Sequence, residues 1–174
     1  MADIAGRAGL KKALVQYHFE TKENLWKQAI GSLWADMREV LPHYLSEAPA
    51  KVGEAQLRFV FEQIIRFARD NPGWVGIMFR EAATPGPRLD WFIDHYLKKD
   101  FEEGTAFIHH AQQQGLLPPG SAIHLLHIIS GALTYILIVS PLTERATGIN
   151  ITSDESLDTL VDLLISLLRS HQRG

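Results

Sequence analysis

The chain has no cysteine, which excludes a disulfide framework and any thiolate metal site. It has little net charge: 17 Lys and Arg against 20 Asp and Glu leave −3 at pH 7, with a pI near 6.2. That balance gives no overall bias towards nucleic acid or an anionic surface. No stretch alternates apolar and polar residues as a half-buried strand would, and there is no internal repeat or low-complexity tract. No charged n-region and short apolar h-region precede the first motif, so a cytoplasmic location is expected. Nucleophile–base constellations, metal-ligand spacings and phosphate-binding loops are lacking too. No enzymatic activity, cofactor or metal is therefore expected.

The 8 histidines do not alter that expectation. His109 and His110 are adjacent and on a helix project about 100° apart, too far to chelate together. His124 and His127 have i, i+3 spacing, but no acidic residue lies near them in sequence. They read as polar members of a buried helix or of its interface.

What the chain does have is a globular composition, 46% hydrophobic and 21% charged over 174 residues, enough for one or two domains with a core. Its charge is uneven. Arg7, Lys11, Lys12, Lys22 and Lys27 outnumber Asp3, Glu20 and Glu23 within residues 1–30, so a small basic head precedes an acidic body.

Punctuation and apolar spacing predict helices throughout. The first covers residues 2–8 and stops at Gly9, and a second covers 11–18. A long helix N-capped by Thr21 follows and is bent or ended by Pro42. Further helices are expected over 52–70, 74–83 and 89–114, with TPGPR (84–88) as a loop. After the LPPGS break, Ser121 N-caps a helix to about residue 139. Thr152 and Glu155 form a T-x-x-E capping box for the last helix. The fold class is all-α.

One segment, 122–143, carries no formal charge and reaches membrane-spanning length. His124, His127, Ser130, Gly131 and Thr134 interrupt it, and no Lys/Arg cluster flanks it. It reads as a helix buried on all sides within a soluble assembly, with no membrane partner.

Two short helices joined at Ala8-Gly9-Leu10 and followed at once by a third have the form of a helix–turn–helix. Gly9 supplies the left-handed turn position, and Lys11 and Lys12 open the second helix, the end that enters a major groove. Tyr17, His18 and Lys22 offer phosphate donors beyond it. The ordinary alternative is a helical hairpin with a basic, solvated face.

The stretch IAGRAGLKKALVQYHFETKENL (4–25) resembles the signature of the TetR family of bacterial transcription regulators. Ile4, Ala5, Ala8, Gly9, His18, Phe19, Lys22, Glu23 and Leu25 match in place. Leu10 replaces the usual Val, and Gln16 holds the common Tyr position, with Tyr17 following. The resemblance implies a TetR-like fold: a helix–turn–helix head (1–24) and a helical-bundle ligand-binding and dimerisation body (25–174). It implies that Lys11, Lys12, Ala13, Gln16 and Tyr17 face the groove and that Tyr17, His18 and Lys22 contact phosphate. Ile4, Ala8, Leu14, Phe19 and Leu25 would form the core of the head. Family members are homodimers on palindromic operator DNA, released by a small-molecule effector. They also carry a full helix before this motif, whereas here Met1 nearly opens it, so the expected head is partial. Uncovering three or four apolar side chains would cost about 5–10 kcal/mol, comparable with the stability of a small domain.

In the body, FREAATPGPRLDWFIDHYL (79–97) resembles a subgroup of TetR C-terminal domains. Phe59, Trp74, Met78, Glu81, Phe92, Tyr96 and Phe107 are the candidate lining of an aromatic-rich effector cavity, against the plainer reading of core packing. Glu81, on an otherwise apolar face, needs a partner, and Arg88 across the turn is favoured over a cationic ligand. The last two helices carry more apolar surface than one neighbour can cover. Leu126, Ser130, Leu133, Leu160, Leu164 and Leu167 are the expected dimer contacts, in a four-helix bundle with the two-fold mate. The expected function is a ligand-responsive transcriptional regulator, in the usual case a repressor. The alternative is a dimeric small-molecule-binding protein whose truncated head no longer binds DNA.

Overall fold

The computed structural model describes residues 1–40 and 53–169; the expected bend at Pro42 lies outside them. Within these residues the chain is all-α, with no strand. It divides into two compact units, Met1–Glu39 and Val40–Gly174. The division falls beyond the expected 24/25 boundary, because the third helix is one unbroken rod that groups with the first two.

In the first unit, α1 (Ala2–Arg7) ends where Gly9 takes φ 67°, letting the Leu10 amide reach back to the Ala5 carbonyl at 2.9 Å. α2 (Lys12–Phe19) follows an extended Lys11 and closes at Glu20, whose φ of 57° is the one positive value among described non-glycine residues. The Asn24 side chain donates to the Phe19 carbonyl at 3.2 Å, tying that corner down. Thr21 N-caps α3 (Lys22–Val40) as expected, its hydroxyl oxygen accepting the Asn24 amide at 3.0 Å. Ile30, Trp34 and Met37, at i, i+4 and i+7, are the buried stripe of α3. The expected core of the head needs correction. Ala5 and Val15 are the buried residues of α1 and α2, Phe19 and Leu25 are half-buried, and Ile4, Ala8 and Leu14 are exposed. Two helices this short cover each other along one side only.

The second unit is built from α4 (Glu54–Asp70), α5 (Pro72–Ala82), α6 (Pro87–Phe92), a π-helical turn (Ile93–Leu97), α7 (Lys98–Gln113), α8 (Ala122–Thr147) and α9 (Asp154–Arg169). Leu57, Phe61 and Ile65 of α4, Phe107 and Ile108 of α7, Ile129 and Leu133 of α8, and Leu157, Val161 and Leu164 of α9 form one core. α4 and α9 run antiparallel, as their ion pairs require. Glu54 meets Arg169 at one end, Arg58 meets Asp162, and Arg66 meets Asp158, while Arg66 and Arg69 share Asp154 at the other end.

Several boundaries differ from expectation for local chemical reasons. The helix expected from Leu89 begins at Pro87, because a proline at the first helical position gives up no needed N–H. It then runs through the π-helical turn into α7, where the Lys98 amide reaches Ile93 instead of the α-helical partner. α8 continues through Pro141 to Thr147, well past residue 139. Proline leaves the Leu137 carbonyl without its helical donor, and the Ser140 hydroxyl donates to that carbonyl at 3.0 Å. Gly148, at φ 75°, then stops the helix. The N-cap moves by one residue and the box does not form: the Ser153 hydroxyl oxygen accepts the Ser156 amide at 3.3 Å, while Thr152 bonds to Asn150. Ser121 sits at the N-cap of α8 in extended conformation but makes no side-chain cap hydrogen bond.

Candidate functional site

The basic residues of the head stand clear of its core. Lys11, Lys12, Ala13, Gln16, Tyr17, His18 and Lys22 are all exposed. Helical geometry sets Ala13, Gln16 and Tyr17 on the side of α2 turned away from buried Val15. Tyr17 is 81% exposed and meets the His18 ring edge-on at 5.5 Å, so a phenol and an imidazole project together beyond the helix. Gly9 and the short turn hold this surface at a fixed angle to α1. The charged heads are solvated, as groups that bind an external polyanion must be.

In the body, the seven candidate lining residues separate into three groups. Phe92 and Phe107 are fully buried, on the faces of their helices that close on the hydrophobic interior. Phe59 is exposed. Trp74, Met78 and Tyr96 are half-buried, and Glu81 is buried at 8% exposure. Trp74 meets Phe67 edge-on at 5.7 Å, and Tyr96 meets Phe92 at 6.2 Å and Trp91 at 5.7 Å. The expected Glu81–Arg88 pair does not form: among the described residues the Glu81 carboxylate joins no ion pair and accepts no hydrogen bond, and Arg88 is engaged otherwise. Five residues of turn and helix start separate the end of α5 from Arg88.

A cleft of about 410 Å³ lies elsewhere, where α7 turns towards α8, lined by Gln112, Gln113, Gly115, Leu117, Pro118, Pro119 and Gly120. The Gln112 amide donates to the carbonyls of Pro118 at 2.9 Å and Gly120 at 3.1 Å, which stitches the loop across one wall. None of the predicted ligand residues touches it.

The sequence reading missed the aromatic group at the π-helical turn. His95 stacks on Trp91, centroids 4.3 Å apart, with Nδ1 2.7 Å from the Trp91 carbonyl oxygen. A carbonyl only accepts, so Nδ1 carries the proton and Nε2 remains as the outward-facing nitrogen. The i, i+4 spacing of Trp91 and His95 was the available signal. His127 is held the same way, Nδ1 2.7 Å from the Ile123 carbonyl and the ring stacked on Phe101 at 5.6 Å. No group of three potential metal ligands occurs among the described residues.

The expected interface residues also divide. Ser130 and Leu167 are exposed and Leu126 and Leu160 half-buried, but Leu133 and Leu164 lie in the protomer's own core. Leu133 and Leu164 are therefore corrected from interface to interior. In their place, Ile128, Tyr135, Ile138 and Leu142 of α8 and Leu163 of α9 point outward. α8 is long and apolar enough to cross a membrane by length and composition, and only 28% of its most apolar stretch is buried. Within the chain it is thus covered along one face, where burial on all sides was expected of an assembly. No family model matches the chain, and no curated protein matches it.

Proposed function

We propose that this chain is a ligand-responsive, DNA-binding transcriptional regulator of the TetR type, acting as a homodimeric repressor that a small molecule releases from its operator. The observation that carries the reading is the exposed basic second helix of a Gly9-turned helix pair, in register with the residues that resemble the TetR signature. Lys11 and Lys12 begin α2, the end that meets base edges in such motifs, and Tyr17, His18 and Lys22 reach phosphates beyond it. The outward apolar strip on α8 and α9 supports the two-fold partner that a palindromic operator requires. Two heads bind together only when spaced about one helical turn of DNA, about 34 Å. A ligand that favours another spacing in the bodies lowers DNA affinity by that differential alone.

A second reading has its own support. Ile4, Leu10 and Leu14 are exposed apolar residues on the head, and apolar side chains left in water add nothing to the packing that holds a recognition surface. In that case the chain is a dimeric small-molecule-binding protein that does not bind DNA.

An electrophoretic mobility shift with DNA from upstream of the gene separates the two. The chain as given is compared with one extended in frame before Met1 by a helix that covers these side chains. Retardation that weakens steeply with salt, that Lys22→Ala weakens equally across sequences, and that Lys11→Ala or Lys12→Ala makes less sequence-selective, supports the regulator. No retardation by either chain rejects it.

A further inference from the structure

α8 turns a regular seam outward. His124, Ile128, Gly131, Tyr135, Ile138 and Leu142 follow one another at alternating steps of four and three, the spacing that keeps side chains in line along one face. Gly131 is half-buried and the other five are exposed. His127, nearly one turn on from His124 and beside this seam, is exposed as well. The burial expected of the two histidines from the sequence does not hold, and both imidazoles open on solvent.

His127 is set as a ligand would be. Its Nδ1 lies 2.7 Å from the Ile123 carbonyl oxygen and its ring stacks on Phe101, which fixes both the tautomer and the rotation of the ring. The proton is on Nδ1, so Nε2 keeps a lone pair. Metal-ligating histidines have this arrangement, the second ring nitrogen donating to a carbonyl or carboxylate. Residues at i, i+3 on a helix have β-carbons about 5–6 Å apart. Two imidazoles so placed can reach one ion at about 2.0–2.1 Å each, and only the exposed His124 ring has to turn to meet it. His95 has the same lock on the Trp91 carbonyl but no histidine three or four residues away.

We infer that His124 and His127 together chelate a divalent ion of the late first transition row, the class to which zinc, nickel and copper belong. Imidazole nitrogen suits these ions, whereas magnesium and calcium take oxygen ligands. The two side chains fill two coordination positions and leave the others to water or to a donor from outside the chain.

The test titrates the full chain with nickel(II) by calorimetry in a non-coordinating buffer. Wild type is expected to bind at least about tenfold more tightly than His124→Ala or His127→Ala, since the second imidazole acts at a high effective concentration. A chelate is lost when either arm is removed, so the double variant should bind no more weakly than the single ones. His95→Ala should leave the affinity unchanged. In nuclear magnetic resonance spectra of wild type, the paramagnetic ion should broaden the ring signals of His124 and His127 before that of His95, a readout that needs no variant to fold. Wild-type binding no tighter than that of the double variant, a loss from only one of the two substitutions, losses that simply add, or earlier broadening at His95 overturns the inference. None of these outcomes depends on whether the chain binds DNA.

Discussion

Gly104 of α7 lies so close to Leu126 of α8 that a Cβ built on the glycine would stand 3.0 Å from Leu126 Cδ1 and 3.2 Å from Cδ2. The contact explains why a glycine is kept inside a helix, where it costs about 1 kcal/mol relative to alanine. Gly104→Ala should lower stability by about 1–2 kcal/mol through overpacking. In a Leu126→Ala background the clash is gone, and the same change should stabilise by about 0.5–1 kcal/mol. Thermal unfolding of the four proteins of this cycle reads the reversal of sign directly.

The ion pairs at the end of α4 make stability depend on acid. The Arg69 guanidinium, through its hydrogen bond to Asp154 and its charge, holds that carboxyl below its ordinary range, with Arg66 adding to the effect. A depressed folded-state value means the contribution is complete above the unfolded-state value and is lost as pH falls through the folded one. The melting temperature of wild type should exceed that of Asp154→Asn at neutral pH, and the gap should close below the normal carboxylate range. Because Asp154 is solvent-facing, added salt should also narrow the gap. A gap independent of pH would contradict the assignment.

α8 tolerates Pro141 because Ser140 covers the carbonyl that proline leaves without a donor. Ser140→Ala should cost about 0.5–1.5 kcal/mol, the worth of one such hydrogen bond. Pro141→Ala restores the backbone donor and should stabilise the helix by about 1–3 kcal/mol. After Pro141→Ala, the Ser140→Ala change should be nearly neutral. Chemical denaturation measures all three.

The outward and inward leucines of the last two helices should respond differently to charge. Leu167, 68% exposed, should accept glutamate with its fold intact, and light scattering should report a monomer in place of a dimer. Leu133, at 0% exposure, should not accept glutamate: a buried unpaired carboxylate there costs several kcal/mol and unfolds the unit. A Leu167→Glu protein that stays dimeric would remove this face from the interface.

The helices were legible because their breaks are chemical. Gly9, Thr21, Asn71-Pro72 and the Leu117–Ser121 stretch each stop or start a helix by the conformations they allow, and the described helices begin and end beside them. Where the reading failed, the deciding contact was finer than periodicity. The Ser140 hydroxyl overrides a proline, Ser153 caps in place of Thr152, and a π-helical turn shifts the faces of one helix between Phe92 and Phe107. The site was legible in its surface and not in its depth. Spacing identified Lys11, Lys12 and Lys22 as an outward basic group. It did not distinguish Leu133, which looks inward, from Ser130, which looks outward, because α8 is apolar nearly all round and carries no stripe to orient it; on α9, Leu164 and Leu167 sit one turn apart at opposite edges of one leucine stripe. Glu81 stood out as a carboxylate among apolar neighbours, but that Arg88 does not pair with it was visible only in the fold.

The antiparallel pairing of α4 with α9 sets a schedule for synthesis. Arg66 and Arg69 find Asp154 and Asp158 at sequence separations of 88, 92 and 85. Until α9 has left the ribosome, Leu57, Phe61 and Ile65 of α4 lack one of the walls that close over them, and α5, α7 and α8 supply the rest. The body is thus a late-closing fold, in which the partner of α4 is made long after α4 itself.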